Sequence, residues 1–477
     1  MKRTNREVVS SMIWSLSERF MSQIVSVIVT IILTRLIAPA DYGLISIVTV
    51  IITILNVFMT SGFSAALIQQ NEVEDADYST VLWFSLGLGI AIYLIVFLMA
   101  PIVAQFYKLE ELTLVLRVLA LKVPLSALNS VQQAYVSRHM LFQKFFISTV
   151  SATIVSGIVG ITLAYNSLGV WALVFQDLIN VLTVTLVLWF GIKWRPTFVF
   201  STSRLTKLFG FGVKIFLQTL FNTLYSNIRS LLIGRAYSAT DLAYYSKGNQ
   251  YPNLIVTNVD SAVSKTIFPV MSREQDNIEK VKSLARNTAQ TTSYIMSPIL
   301  IGFMICADSI VSLVMTDKWL PAVPYVQIIC CCLLIRPFQT AIVQAIKAIG
   351  ESGIILKMDI PVRFFALVLL FCTINYGVIY IAISEIVIEL LALGIYSYYS
   401  NRLIGYSYLE IMVDFCQNII ISVIMGIAVY FIGIGLELDK AQELLIQVVV
   451  GGVIYFSFSV ILKNNSLLHF KKLLWKD

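Results

Sequence analysis

Long apolar stretches alternate with short polar segments along almost the whole of this chain. A helix that crosses the hydrocarbon core of a bilayer needs roughly 20 predominantly apolar residues, and its backbone polar groups have to be satisfied within the segment. The pattern therefore predicts an all-α polytopic membrane protein with about fourteen transmembrane helices. The predicted spans are 12–34, 42–68, 79–105, 112–136, 145–165, 168–192, 208–234, 242–268, 290–315, 322–346, 356–375, 377–400, 409–433 and 441–462.

Polar positions in the first half of the chain recur in the second half at a constant offset. The repeat covers an even number of spans, so both copies enter the membrane from the same side. The sequence therefore predicts two pseudo-symmetric six-helix lobes in a parallel repeat, with two helices appended at the C-terminal end. The matched pairs are Glu18 with Gln218, Ser22 with Asn222, Ser26 with Ser226, Arg35 with Arg235 and Asp41 with Asp241.

This repeat sets the predicted division of the chain. An N-lobe occupies 1–193, a cytoplasmic linker 194–206 and a C-lobe 207–403, while 404–477 holds the last two spans and a cytoplasmic tail. Lys and Arg residues collect on the side that holds the N-terminus, as the positive-inside rule requires of cytoplasmic segments. Both termini are therefore predicted to be cytoplasmic. The formal net charge of +7 follows from this bias and indicates no nucleic-acid partner.

Signatures of catalytic and metal-binding proteins are not found in the sequence. The six cysteines and two histidines lack metal-ligand spacing, and no glycine-rich loop of the Walker type is present. The predicted outer loops are short. We expect a protein that is not an enzyme and holds no cofactor or metal, and the identity of any coupling ion, H⁺ or Na⁺, is left open. The first apolar stretch is interpreted as a span because the chain repeats it internally, which a cleaved signal peptide would not do.

Polar and basic side chains recur at helical spacing inside the predicted spans. A charge at the bilayer centre costs roughly 2.5–3.5 kcal/mol on insertion scales, so such residues face water or a partner. One interpretation is a hydrated, positively charged path that binds a diphosphate through charge-assisted hydrogen bonds. The alternative is that these residues join helices or extend toward the headgroups. The candidate substrate-binding residues are Arg19, Lys214, Gln218, Asn222, Arg229, Lys122 and Arg336.

Two further groups of charged residues have structural and functional interpretations. Carboxylates within predicted spans suit ion coupling or structural pairing; these are Glu18, Asp177, Glu385 and Glu389. The pairs Arg35 with Asp41 and Arg235 with Asp241 lie near the predicted outer ends of spans. We interpret each pair as a structural salt bridge or a helix cap, and an outer gate is the alternative.

The sequence also predicts the structure of three segments on the predicted inner side. The acidic segment 72–77 is predicted to be a solvated turn. Segment 193–207 is basic and aromatic and is expected at the inner face. Segment 270–289 is charged but has apolar residues at helical spacing, which indicates a surface helix that rests on the headgroups.

The turn Leu36-Ile37-Ala38-Pro39-Ala40-Asp41-Tyr42-Gly43 after the first span resembles the polysaccharide-transport branch of the multidrug/oligosaccharidyl-lipid/polysaccharide exporter superfamily. The length and the plan of spans agree over nearly the whole chain. The resemblance implies a flippase of the bacterial cytoplasmic membrane that moves an undecaprenyl-diphosphate-linked oligosaccharide to the outer leaflet by alternating access. It also implies contact with membrane lipids and with polysaccharide polymerase machinery, and a diphosphate-binding role for Arg19. The glycan would serve O-antigen, exopolysaccharide, capsule or teichuronic acid assembly.

Three alternatives remain open from the sequence. A lipid II flippase shares the diphosphate requirement, so the sequence separates it poorly from a polysaccharide flippase. A multidrug/cation antiporter of the same superfamily would favour carboxylates over the Lys and Arg residues found here. A membrane glycosyltransferase or polymerase would require long outer loops with paired acids, which the chain lacks.

Overall fold

The computed structural model describes residues 5–70, 72–435, 438–462, 464 and 467, and every element within them is helical. The extreme N-terminus and most of the predicted cytoplasmic tail lie outside the described residues. The α-helices are α1 (Asn5–Leu36), α2 (Pro39–Thr60), α3 (Phe63–Gln69), α4 (Asp75–Tyr107), α5 (Leu112–Leu119), α6 (Lys122–His139), α7 (Phe142–Tyr165), α8 (Val170–Gly191), α9 (Thr202–Ala236), α10 (Ala239–Arg273), α11 (Ile278–Ile305), α12 (Ala307–Met315), α13 (Val323–Leu333), α14 (Arg336–Ala348), α15 (Ser352–Thr373), α16 (Val378–Ile404), α17 (Tyr408–Gly435) and α18 (Lys440–Ile461), and a 3₁₀ helix covers Asp317–Ala322.

The all-α, multi-pass membrane class is confirmed. In the part of the chain that the structure describes, ten helical segments are long and apolar enough to cross a bilayer, or eleven if α11 and α12, which meet at 73°, form one bent span. The helices α9, α10 and α15 are also long enough to cross, but they do not meet the same limits on hydropathy and charge. The predicted number of about fourteen spans therefore stays a prediction.

The prediction of a surface helix at 270–289 is wrong. Helix α10 runs on to Arg273, and α11 begins at Ile278 and continues without interruption into the predicted ninth span. Val281 and Ala285 are fully buried in an apolar cluster with residues of α14 and α17. The apolar spacing was recognised correctly, but its partner is protein and not the membrane surface.

The chain divides into two compact units, Met1–Ala243 and Tyr244–Asp477. The lobe boundaries predicted at 193 and 207 differ from this division and stay predictions. In the first unit, α1 packs on α7, and α7 on α8, through small residues. A Cβ added to Gly157 would lie 2.5 Å from Cγ2 of Val29, so this close approach requires glycine.

In the second unit a buried carboxylate joins α17 to α11. The side chain of Asp414 is 1% exposed and accepts two hydrogen bonds from Arg286, from Nε at 2.7 Å and from Nη2 at 2.8 Å. Gln290 and Tyr406 also donate to the same carboxylate, at 2.7 and 2.9 Å. Because a buried charge is tolerated only when it is paired and hydrogen-bonded, this network fixes α17 against α11.

Within the first unit, a glycine of α2 packs against the backbone at the start of α10. Residue Ala38 precedes Pro39 and adopts an extended conformation, φ −73° and ψ 149°, as residues before proline do, and this ends α1 and starts α2. One turn later, a Cβ added to Gly43 would lie 1.7 Å from the carbonyl oxygen of Ala239. The obstacle is backbone, which cannot rotate away. Gly43 therefore sets the distance between the start of α2 and the start of α10.

We expect Gly43→Ala to lower the thermal stability of the purified protein in detergent. Overpacking against a fixed backbone typically costs about 1–3 kcal/mol. The matched control is Gly87→Ala in α4, because a Cβ there meets nothing within 4 Å and alanine is the better helix former. An unchanged melting temperature for Gly43→Ala, measured beside Gly87→Ala, would contradict the close approach.

Candidate functional site

A proline breaks the predicted fourth span of the first unit into α5 and α6. Pro124 has no N–H and cannot donate to the carbonyl of Ala120. That carbonyl accepts instead from the N–H of Val123, at 3.0 Å, in a tighter turn. Lys122 is the first residue of α6, where the helix dipole disfavours a cation. Its position therefore requires a compensating partner.

Asp177 of α8 provides that partner. Its Oδ2 lies 3.0 Å from Nζ of Lys122, and the two side chains are 36% and 20% exposed. The predicted site residues Lys122 and Asp177 are thus brought together as one ion pair. Along the sequence the two residues lie in different predicted spans, and nothing in their spacing identifies the pairing.

A polar cavity of about 330 Å³ lies beside this ion pair, and we call it the α1–α7–α8 pocket. Its wall is almost entirely hydroxyl and amide groups, and Val29 is its one aliphatic residue. The polar residues that line it are Ser22, Gln23, Ser26, Thr153, Ser156, Gln176, Asp177 and Asn180.

The second unit has a similar break between α13 and α14. Arg336 is the first residue of α14, and Pro337 follows it in the first helical turn, where a missing N–H is tolerated. The Arg336 guanidinium lies 3.6 Å from a carboxylate oxygen of Asp260 and 3.9 Å from one of Glu389. Both units therefore place a cation at the start of the second half of a broken helix, opposite an acid.

The surroundings of Arg336 contain more acids than bases. Glu389 also accepts from Gln339 at 2.7 Å, and Asp260 accepts from Thr340 at 3.1 Å. Asp260, Arg336, Gln339 and Thr340 line a cavity of about 290 Å³. One turn away from Glu389 on α16, Glu385 accepts a hydrogen bond of 2.5 Å from the hydroxyl of Tyr245.

The remaining cations of the predicted site lie on α1 and α9 in the first unit. Lys214, Gln218 and Asn222 are exposed along one face of α9, while Arg229 is half-buried further along the same helix. Within the described residues, Lys214 makes no ion pair or hydrogen bond. On α1, Arg19 is exposed and the adjacent Glu18 is half-buried.

The predicted outer-turn residues lie at helix ends. Arg35 is in the last turn of α1 and Asp41 in the first turn of α2. Asp241 forms a capping box with Ser238, whose hydroxyl donates to it at 2.6 Å and accepts from its backbone N–H at 3.1 Å. The Arg235 guanidinium lies 4.8 Å from the ring centre of Phe106. Asp241 is therefore a helix cap, and Arg235 makes a cation–π contact with Phe106.

A second group of contacts joins the linker to α4, and the sequence did not predict it. Arg204 binds Glu74 at 2.7 Å and Asp77 at 3.0 Å. Nearby, Trp83 Nε1 donates to the carbonyl of Thr197 at 2.9 Å. The prediction of a solvated acidic turn is therefore wrong for Asp77, which is buried. The opposite charges of segments 72–77 and 193–207 were the available signal.

An apolar cavity of about 400 Å³ lies between α11, α17 and α18 in the second unit. Small residues on each helix make room for it, among them Gly302, Gly451 and Gly452. Its polar lining is limited to a few groups, such as Gln447 and the hydroxyl of Tyr455. No cluster of three His, Cys, Asp or Glu side chains that could hold a metal occurs in the described part of the chain.

The family match and the similar proteins all concern polysaccharide biosynthesis. Residues 32–324 match the profile of a family described as "Polysaccharide biosynthesis protein". The teichuronic acid biosynthesis protein TuaB of Bacillus subtilis (strain 168) is 24% identical, over 67% of each chain. The lipopolysaccharide biosynthesis protein WzxC of Escherichia coli (strain K12) is 24% identical, over 69% of this chain and 67% of its own.

Solved structures show the same fold. The lipid II flippase MurJ in an inward closed conformation superposes with a TM-score of 0.76, covering 96% of this chain and 100% of MurJ, at 15% identity. An inward-facing multidrug resistance transporter of the MATE family superposes with a TM-score of 0.59, covering 82% of this chain and 98% of its own, at 14% identity. At these identities the likeness concerns the fold alone.

We expect Lys122→Met and Asp177→Leu each to lower thermal stability, because each leaves a partly buried charge without its partner. An unsatisfied buried polar group costs about 1–3 kcal/mol, and a charge costs more. The double variant Lys122→Met/Asp177→Leu should recover most of the loss, since apolar replacement of both partners is often neutral. The assay is thermal unfolding of the purified protein.

The matched control for this cycle is Lys440→Met. Lys440 pairs with Asp317 at 3.1 Å, but the two side chains are 50% and 71% exposed, so its loss should cost no more than about 1 kcal/mol. Equal effects of Lys440→Met and Lys122→Met, or additive losses in the double variant, would show that the Lys122–Asp177 pair contributes nothing specific.

Proposed function

Because this chain belongs to the family of polysaccharide biosynthesis proteins, we propose that it is a flippase for an undecaprenyl-diphosphate-linked oligosaccharide. It moves this lipid from the inner to the outer leaflet of the bacterial cytoplasmic membrane by alternating access, and the glycan then enters surface polysaccharide assembly. The observation that carries the proposal is the family match over residues 32–324, supported by polar and charged side chains within long helices.

The diphosphate is bound by cations of α1 and α9. Lys214 is exposed within a helix long enough to span the membrane, and an exposed ammonium in hydrocarbon is costly unless water or an anion contacts it. Arg19 and Arg229 supply guanidinium groups, which bind phosphate oxygens in a bidentate manner. Gln218 and Asn222, exposed on the same face as Lys214, add neutral donors.

Lys122 and Arg336 take a different role from the one the sequence suggested. Each is opposed by a carboxylate within 4 Å, so neither offers an uncompensated positive charge to a diphosphate. They position the broken helices through their pairs with Asp177, Asp260 and Glu389. The carboxylates on α8 and α16 are structural partners in this arrangement.

The apolar cavity between α11, α17 and α18, within the second unit, suits a short length of hydrocarbon chain. Its lining is aliphatic and aromatic, and burial of apolar surface contributes about 0.8 kcal/mol per CH₂ group. The two appended helices, which the repeat leaves without partners, thereby gain a role. A cation antiporter is the weaker candidate, because the exposed stripe on α9 is basic.

Translocation by purified protein in proteoliposomes tests the proposal. The probe is an undecaprenyl-diphosphate-linked trisaccharide, and the readout is the fraction that a membrane-impermeant lectin reaches from outside. We expect the wild-type protein to exceed protein-free vesicles. The variants Arg19→Gln, Lys214→Gln and Arg229→Gln should each slow translocation by about tenfold, since a charged hydrogen bond contributes 1.5–3 kcal/mol and 1.4 kcal/mol is a factor of ten.

The matched control is Lys207→Gln, which removes an exposed cation from the first turns of the same helix. It should translocate the probe at the wild-type rate. If all three site variants also match the wild type, the assignment of the diphosphate site is wrong. If the wild-type protein does not exceed protein-free vesicles, the flippase proposal itself fails.

A further inference from the structure

The α1–α7–α8 pocket differs in charge from the exposed face of α9 that carries Lys214. Its lysine neighbour, Lys122, and its one carboxylate, Asp177, lie 3.0 Å apart and cancel. A diphosphate requires a surplus of positive charge, which this pocket does not offer. The pocket therefore suits an uncharged polar group better than an anion.

We propose that the α1–α7–α8 pocket binds one neutral hexose unit of the lipid-linked glycan, an inference that rests on the proposed flippase function. Sugar hydroxyls both donate and accept hydrogen bonds, and amide side chains also do both. The pocket presents three amides, on Gln23, Gln176 and Asn180, together with serine and threonine hydroxyls. This is the complement that a ring of hydroxyl groups requires.

Part of this hydrogen-bonding capacity is unused within the protein. In the residues that the structure describes, the side chains of Gln23, Ser26 and Gln176 make no hydrogen bond. The Asn180 amide nitrogen donates to Ser156 at 3.2 Å, which holds that amide in place and leaves its oxygen as an acceptor. Because polar groups away from water need partners, the free groups bind either water or a polar ligand.

The depth of the pocket favours a ligand that enters through the membrane. Ser22 and Ser26 lie 14 and 10 residues before Leu36, the end of α1. At 1.5 Å per residue they are about 21 and 15 Å from that end along the helix axis. The hydrocarbon core is about 30 Å thick, so the pocket lies near its middle. A sugar at this depth has to be carried there.

The size and walls of the pocket limit the ligand to about one ring. A volume of about 330 Å³ is at the lower end of the 300–1,000 Å³ typical of small-molecule sites. The wall between α7 and α8 is fixed by close packing, since a Cβ added to Gly160 would lie 3.0 Å from Cβ of Gln176. Gln176 is therefore presented from a rigid surface.

The test compares binding of two kinds of probe to the full-length protein in nanodiscs. One probe is undecaprenyl diphosphate without sugar. The others carry a single glucose, galactose or N-acetylglucosamine. We expect at least one sugar to raise affinity over the bare lipid by about tenfold, and Gln176→Leu or Asn180→Leu to abolish this gain, because a lost hydrogen bond with a group left unpaired is a difference of about that size.

Both variants should bind bare undecaprenyl diphosphate as the wild type does, which also reports correct folding. Gln105→Leu, which removes an exposed amide on α4, is the control and should keep the sugar-dependent gain. If none of the three sugars raises the affinity of the wild type, or if the variants keep the gain, the pocket holds only water and the inference is wrong. A variant that loses bare-lipid and sugar-lipid binding equally also contradicts it. If the wild type binds none of the probes, the flippase proposal fails instead.

Discussion

The cost of an uncompensated charge in hydrocarbon governs this structure. Lys122 and Arg336 each begin a half-helix next to a proline, and each lies within 4 Å of a carboxylate. Because the helix dipole opposes a cation at that end and the bilayer opposes it everywhere, the acids of α8, α10 and α16 are necessary. Discontinuous helices of this kind commonly form binding sites in transporters, and here the compensated charges allow polar cavities to persist at the breaks.

The charged residues consequently fall into two chemical groups. Those at the helix breaks are neutralised locally and leave hydroxyl and amide surfaces beside them. Those on α1 and α9 include Lys214, which makes no ion pair or hydrogen bond among the described residues. The apolar cavity between α11, α17 and α18 is a third kind of surface, within the second unit.

The sequence predicted the parts of this arrangement that are local. Apolar runs predict the membrane class because every residue of a span contributes to the same signal, and Ala38-Pro39 predicts the first turn through backbone sterics. The ion pairs could not be predicted, because Lys122 and Asp177 are brought together by packing of α6 on α8. Counting charges along the chain therefore does not reveal that Lys122 and Arg336 each lie within 4 Å of a carboxylate. The contacts of segment 270–289 could not be predicted either, since apolar spacing does not reveal whether lipid or protein covers Val281.

The polar character of α9, α10 and α15 has a consequence for biogenesis. A lysine at the centre of a helix adds about 2.5–3.5 kcal/mol to the free energy of leaving the translocon, and Lys214 lies in one of these three helices. Such segments partition into lipid poorly by themselves. They insert when helices already made offer them a polar or small-residue surface, as Gly62 of the turn after α2 does for Gly212 of α9. The order of synthesis, with the apolar helices α1 to α8 emerging first, is thus part of how the later helices enter the membrane.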